Sequence, residues 1–115
     1  YKVLSALAGH GVDLVAFTAV PVGQDRTQLT VFPEEPGKLK SEAQKAGMAL
    51  DGPHRALLVQ GDDELGALAS VHEKIYRSSV NVYASSAIAD GAGKYGHLIY
   101  VRPEDFERAA KALEV

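Results

Sequence analysis

The residues best suited to chemistry sit in one run, Asp63-Glu64-Leu65-Gly66-Ala67-Leu68-Ala69-Ser70-Val71, and in a shorter one, Ser79-Val80-Asn81-Val82. A glycine just after a strand lets a ligand approach the backbone with no Cβ in the way. The start of a helix carries unpaired N–H groups and a positive field, which suits a carboxylate. An asparagine or aspartate at the start of a facing strand suits an ammonium or amide. Together such groups would hold an α-amino acid by its two charged ends. A plainer reading stands beside each. Gly66 would serve helix-on-strand packing, and Asp63 would be a helix N-cap, where Asp ranks among the best residues. Asn81, and Asp13 in a similar run, would be turn residues that tolerate left-handed backbone.

Other chemistry is weaker. His10, His54, His72 and His97 form no metal-ligand spacing with one another or with paired carboxylates. All four read as surface or satisfied structural histidines, with His72 toward the buried side of its helix. His54 and His97 would approach each other if their strands were neighbours. Ser85 and Ser86 read as solvent or edge-strand residues. Gly91-Ala92-Gly93 lacks the Lys-Ser or Lys-Thr of a phosphate loop and joins two strands. There is no nucleophile elbow. An enzyme remains an alternative only as a small protein with a site at a dimer interface, built for example from Tyr83, Asp90 and His97.

Composition narrows the classes further. The 115 residues are 46% hydrophobic and 23% charged, as in a folded globular domain. There is no cysteine, which removes disulfides, thiolate metal sites and cysteine nucleophiles. A net charge of −3 argues against binding nucleic acid through its phosphates. An RNA-recognition sheet would need spaced aromatics, and Gly96-His97-Leu98-Ile99-Tyr100-Val101 offers one. No apolar run approaches the ~20 residues that span a bilayer. No membrane, nucleic-acid or cofactor partner is expected, and the expected setting is the cytoplasm.

The elements that would position these residues repeat. Gly11-Val12-Asp13-Leu14, Ala16, Ala19-Val20 and Gly23 match Ser79-Val80-Asn81-Val82, Ala84, Ala87-Ile88 and Gly91 at constant spacing. Each copy then reaches a proline and acids, Pro33-Glu34-Glu35 and Pro103-Glu104-Asp105. The acid runs suit the positive ends of helices. The first copy, 1–52, reads as helix 2–8, strands 12–20 and 27–32, helix 38–46 and a short edge strand 48–50. The second, 53–115, reads as strand 54–60, loop 61–63, helix 64–77, strands 80–89 and 97–101, a helix from Pro103, and a short strand at 114–115. That order is the β-α-β-β-α-β split unit, with an antiparallel sheet and helices on one face. The first copy lacks its first strand. The chain opens at Tyr1, inside what reads as a helix, so about ten or more preceding residues are expected to supply that strand. One continuous sheet across both copies is expected.

The Asp63 to Val71 run, with Val80-Asn81-Val82, resembles the ACT family of small regulatory domains. That pattern is an acid, a loop residue, proline, glycine, any residue and leucine, then glycine, an aliphatic, asparagine and an aliphatic after the helix. Asp63, Gly66, Leu68, Val80, Asn81 and Val82 match. Leu65 stands where the family has proline, and Ser79 where it has glycine. The resemblance implies an α+β fold of two tandem ferredoxin-like units. It implies a non-catalytic regulatory protein binding an amino acid or related metabolite at an interface between units. The candidate contacts are then Asp63, Leu65, Gly66, Ala67 and Leu68 on the loop and helix start, with Asn81 and Asp13 on the strands. A homodimer and a partner enzyme or regulator are expected. A purely structural pairing module without ligand is the alternative.

Overall fold

A computed structural model describes residues 1–115, which divide into two units, Tyr1–Gly52 and Pro53–Val115. In the first, helix α1 (Lys2–Gly9) buries Leu7, and Gly11, at φ +75°, turns the chain out of it. Strand β1 (Leu14–Pro21) returns antiparallel as β2 (Thr27–Pro33). Pro36 opens α2 (Pro36–Lys45), where its fixed φ and missing N–H fit a first turn. Leu7, Val12 and Leu39 form the core, with Leu14, Val31 and Met48 packed on it. Residues 48–50 are not the expected edge strand. Met48 instead closes the helix end, its amide donating to Ala43 O at 2.9 Å.

The second unit runs β3 (Leu57–Asp62), α3 (Ala67–Arg77), β4 (Val82–Ala89), β5 (Lys94–Val101), a 3₁₀ turn (Pro103–Asp105) and α4 (Phe106–Leu113). Its sheet order is β3-β5-β4, antiparallel throughout. Alternation along β5 sends His97, Ile99 and Val101 to the buried side. There Leu57, Ile99 and Val101 meet Val71 and Ile75 of α3 and Ala109, Ala110 and Leu113 of α4. The helices thus cover one face of the sheet. No strand forms at 114–115: Glu114 is left-handed, at φ +59°, and Val115 N bonds back to Ala110 O at 3.0 Å.

The fold is α+β, two tandem ferredoxin-like units of which the first has no first strand. The expected single sheet is instead two, β1-β2 and β3-β5-β4, because strand pairing stays within each unit. Two boundaries near the candidate loop also shift. β3 begins at Leu57, not His54, and continues through Gly61 and Asp62, which pair with Tyr95 and Lys94. α3 begins at Ala67, not at Glu64, because Gly66 takes φ +84°, outside the helical region. No helix is long and apolar enough to cross a membrane.

Candidate ligand-binding site

The end of β3, the start of α3 and the end of β4 enclose an open cleft of ≈ 530 Å³. Asp63, Glu64, Leu65, Gly66, Ala67 and Leu68 form one wall. Ala69, next on α3, also lines the cleft, and Ala87 to Ala89 and Tyr95 form the other wall. The loop is tied down at Asp63, whose amide donates to Gly93 O at 2.9 Å, beside the β4–β5 hairpin. Gly66 is the N-cap of α3 and no side chain caps that end. Ala67 N donates to Glu64 O and Ser70 N to Gly66 O. The Leu68 and Ala69 amides between them have no carbonyl within the helix to take them. Leu65 is fully exposed at 108%.

Two plainer readings of this loop are overturned. Asp63 is not the N-cap, since Gly66 holds that place. Gly66 is not required by packing, because a Cβ there would meet nothing within 4 Å. Its positive φ is what demands glycine. The glycine with a steric role is Gly61, where a Cβ would lie 3.0 Å from the Tyr95 ring. Tyr95 faces Gly61 directly across the ladder, so the ring lies over the bare backbone and becomes a wall of the cleft. Sequence reasoning missed both residues, although a glycine inside an apolar strand is a signal of close approach.

Asn81 and Asp13 stand apart from this cleft. Asn81 precedes β4, whose Val82 pairs with Val101, whereas the cleft lies at the Ala89–Tyr95 end. Asp13 belongs to the first unit, beside a hollow of only ≈ 30 Å³ with Glu34, Glu35 and Lys38. Neither is left-handed. The repeat's first position takes that conformation in both copies, Gly11 at φ +75° and Ser79 at φ +59°.

The histidines differ from expectation. His54 lies outside β3, and the ring near His97 is His72, with centroids 5.2 Å apart. His97 is 1% exposed, and its Nδ1 is buried with no partner. Its Nε2 lies 2.5 Å from Ser85 Oγ, which lies 3.2 Å from His72 Nε2. A buried N–H without an acceptor costs more than a bare lone pair, so the proton of neutral His97 belongs on Nε2. His97 then donates to Ser85, and Ser85 donates to His72. Burial, and secondarily the His72 charge, lowers the His97 pKa. In this tautomer His97 is no base for Ser85, as nothing orients an Nδ1–H. His97 stands two residues before Ile99 and four before Val101, and that period-two alternation was the signal for its burial.

Tyr83, Asp90 and His97 do not assemble either. Tyr83 is exposed near the Arg102 guanidinium at the far end of β4. Asp90 Oδ1 accepts from the amides of Ala92 at 2.6 Å and Lys94 at 3.1 Å, which shapes the hairpin and lowers its pKa. His10 pairs instead with Glu42 at 3.0 Å. No three His, Asp or Glu side chains gather in a metal-binding arrangement.

With this geometry in place, comparison with known proteins shows where the likeness lies. No family model matches the sequence, and no curated protein does. Protein BT0572 of Bacteroides thetaiotaomicron is similar in structure, with a TM-score of 0.83. The match has 17% identity and covers 98% of this chain and 75% of that one. Likeness at that identity establishes a shared fold alone. A second solved structure, provisionally described as a glycine cleavage system transcriptional repressor, aligns over 98% of this chain and 83% of its own. Its identity is 16% and its TM-score 0.38, too low to carry an argument.

Proposed function

We propose that the second unit is a non-catalytic regulatory module that binds a small α-amino acid in the cleft at the start of α3. The observation that carries this reading is that unclaimed amides and carboxylates line one cavity together. The Leu68 and Ala69 N–H groups suit a carboxylate, and Asp63 and Glu64, on the same wall, suit an ammonium. The opposite wall, Ala87, Ile88, Ala89 and Tyr95, is mostly apolar and suits a side chain. The cleft volume lies within the ordinary range for small-molecule sites. Asn81 and Asp13 enter only as residues that a facing unit would bring to the ammonium, in an ACT-like homodimer. Binding energy spent there would bias an assembly or a partner enzyme or regulator.

Calorimetric titration of the whole chain against the twenty amino acids tests this. One-site binding is expected for at least one of them, weakened at least tenfold by Gly61→Val, whose Cβ would displace the Tyr95 ring that lines the cleft. Silent titrations throughout, with no thermal shift, would reject the reading. A second reading, a pairing module without ligand, is favoured by the outer edge of β4, where Val82–Ala89 carries no charge to blunt pairing. Light scattering with and without ligand separates the two, since a bare pairing module gives a dimer indifferent to metabolites.

A further inference from the structure

The His72, Ser85 and His97 chain joins three elements, α3, β4 and β5, and the cleft does not use it. We propose that these three residues form a proton-operated latch that holds α3 against the sheet at neutral pH and releases it in acid. At neutral pH every hydrogen in the chain has a place: His97 Nε2–H on Ser85 Oγ, and the Ser85 hydroxyl on His72 Nε2. A proton added to the half-buried His72 ring enters at Nε2, the nitrogen that accepts from Ser85. Two imidazole N–H groups then face one oxygen, and the Ser85 hydroxyl loses its acceptor. A second proton, on His97 Nδ1, would place a charged N–H where the structure offers no acceptor.

Nothing around His97 compensates such a charge. Directly across the ladders stand Val59 of β3 and Ala87 of β4. On β5 its same-face neighbours are Ile99 and Tyr95, and the ring of Tyr95 is drawn over Gly61. The buried residues of α4 are Ala109, Ala110 and Leu113, and those of α3 are Val71 and Ile75. On α3, Glu73 is engaged with Arg77 on the exposed side. The Asp62–Lys94 pair falls on the opposite face of the sheet. His72 is the one group whose charge reaches His97, and it repels.

The test is amide hydrogen exchange on the intact chain at pH 7.5 and 5.5, corrected for intrinsic exchange. The latch predicts that the Val71–Ile75 amides lose protection at least tenfold relative to those of α4, and that His97→Leu removes the difference. His72→Gln, which keeps a hydrogen-bonding group but adds no charge, should at least halve the effect on a logarithmic scale. Ring-nitrogen resonances of the unmodified chain decide the matter even if His97→Leu does not fold. They should place the His97 proton on Nε2 at pH 7.5 and its titration below the ordinary imidazole value. An Nδ1 proton, a His97 titration at or above the ordinary imidazole value, or equal loss of protection in both helices would overturn the latch. A zinc-dependent rise in melting temperature abolished by both His72→Gln and Ser85→Ala would overturn it in favour of a cation site.

Discussion

Ser79 holds a left-handed conformation at φ +59°, at the corner between α3 and β4. That backbone costs an L-residue about 1–2 kcal/mol, and glycine returns part of the gain through its looser unfolded chain, about 0.5–1 kcal/mol. Ser79→Gly should therefore stabilise the second unit by roughly 0.5–1 kcal/mol, read as a raised urea midpoint with unchanged slope. An unchanged or lowered midpoint would show that the corner carries no strain. At Gly66 the same physics runs the other way. The space around it is open but φ is +84°, so Gly66→Ala should destabilise by about 1–2 kcal/mol without any clash. The sequence showed these two as a departure from a pattern and a match to it. It did not show which residue of Ser79-Val80-Asn81 carries the turn. Asparagine is the commoner left-handed residue, and helix geometry placed the burden two positions earlier.

Among the elements, α3 has an unusual end. Arg108 of α4 donates from Nε to Ser78 O at 3.0 Å and from Nη2 to Ser79 O at 3.4 Å, while Nη2 also meets Asp105 at 2.6 Å. One planar fork therefore takes two carbonyls at the negative end of the neighbouring helix. Arg108→Ala should cost about 1 kcal/mol, visible as faster exchange in the last turn of α3. Arg108→Lys should restore only part, because a single ammonium lacks the fork. Loss in β3 but not in α3 would refute the capping role. Element type and order were legible from periodicity, proline placement and the internal repeat. Ends were less so. The start of α3 moved because Gly66 is left-handed, and β3 ran two residues further because Tyr95 covers Gly61. The two short terminal strands failed for lack of partners. Met48 and Val115 spend their amides on the preceding helices instead. The cleft loop was legible as a candidate, but its opposite wall was not. Ala87 to Ala89 and Tyr95 reach it through sheet register, which spacing along a chain does not encode.

Over the whole molecule, the two units should respond to acid in different windows. His97 lies in the second unit with its pKa lowered below the ordinary imidazole value. As pH falls below about 6.5, the unfolded chain binds a proton that the folded unit resists, so stability declines until the lowered folded value is passed. The first unit has no counterpart. Its Glu42 is lowered by the Lys45 hydrogen bond and then by His10. That contribution is present above the ordinary carboxylate value of 4.5 and fades as pH falls through the lower folded value. Being exposed, it should also weaken with salt. Melting followed by probes in each unit from pH 7.5 to 3 should show the second unit declining first. Superimposed profiles would contradict this.

The first unit encloses three buried residues in its core cluster under a two-stranded ladder, and the second encloses nine under three strands. Between them, residues 49–56 belong to no helix or strand. A hairpin with so small an interior opens often, and a protease samples whatever opens. Brief digestion should therefore nick the chain around Asp51-Gly52-Pro53, degrade what precedes the nick, and leave a resistant C-terminal fragment. That fragment would hold the whole cleft and the whole histidine chain, a minimal piece for separating the properties of one half from those of the other.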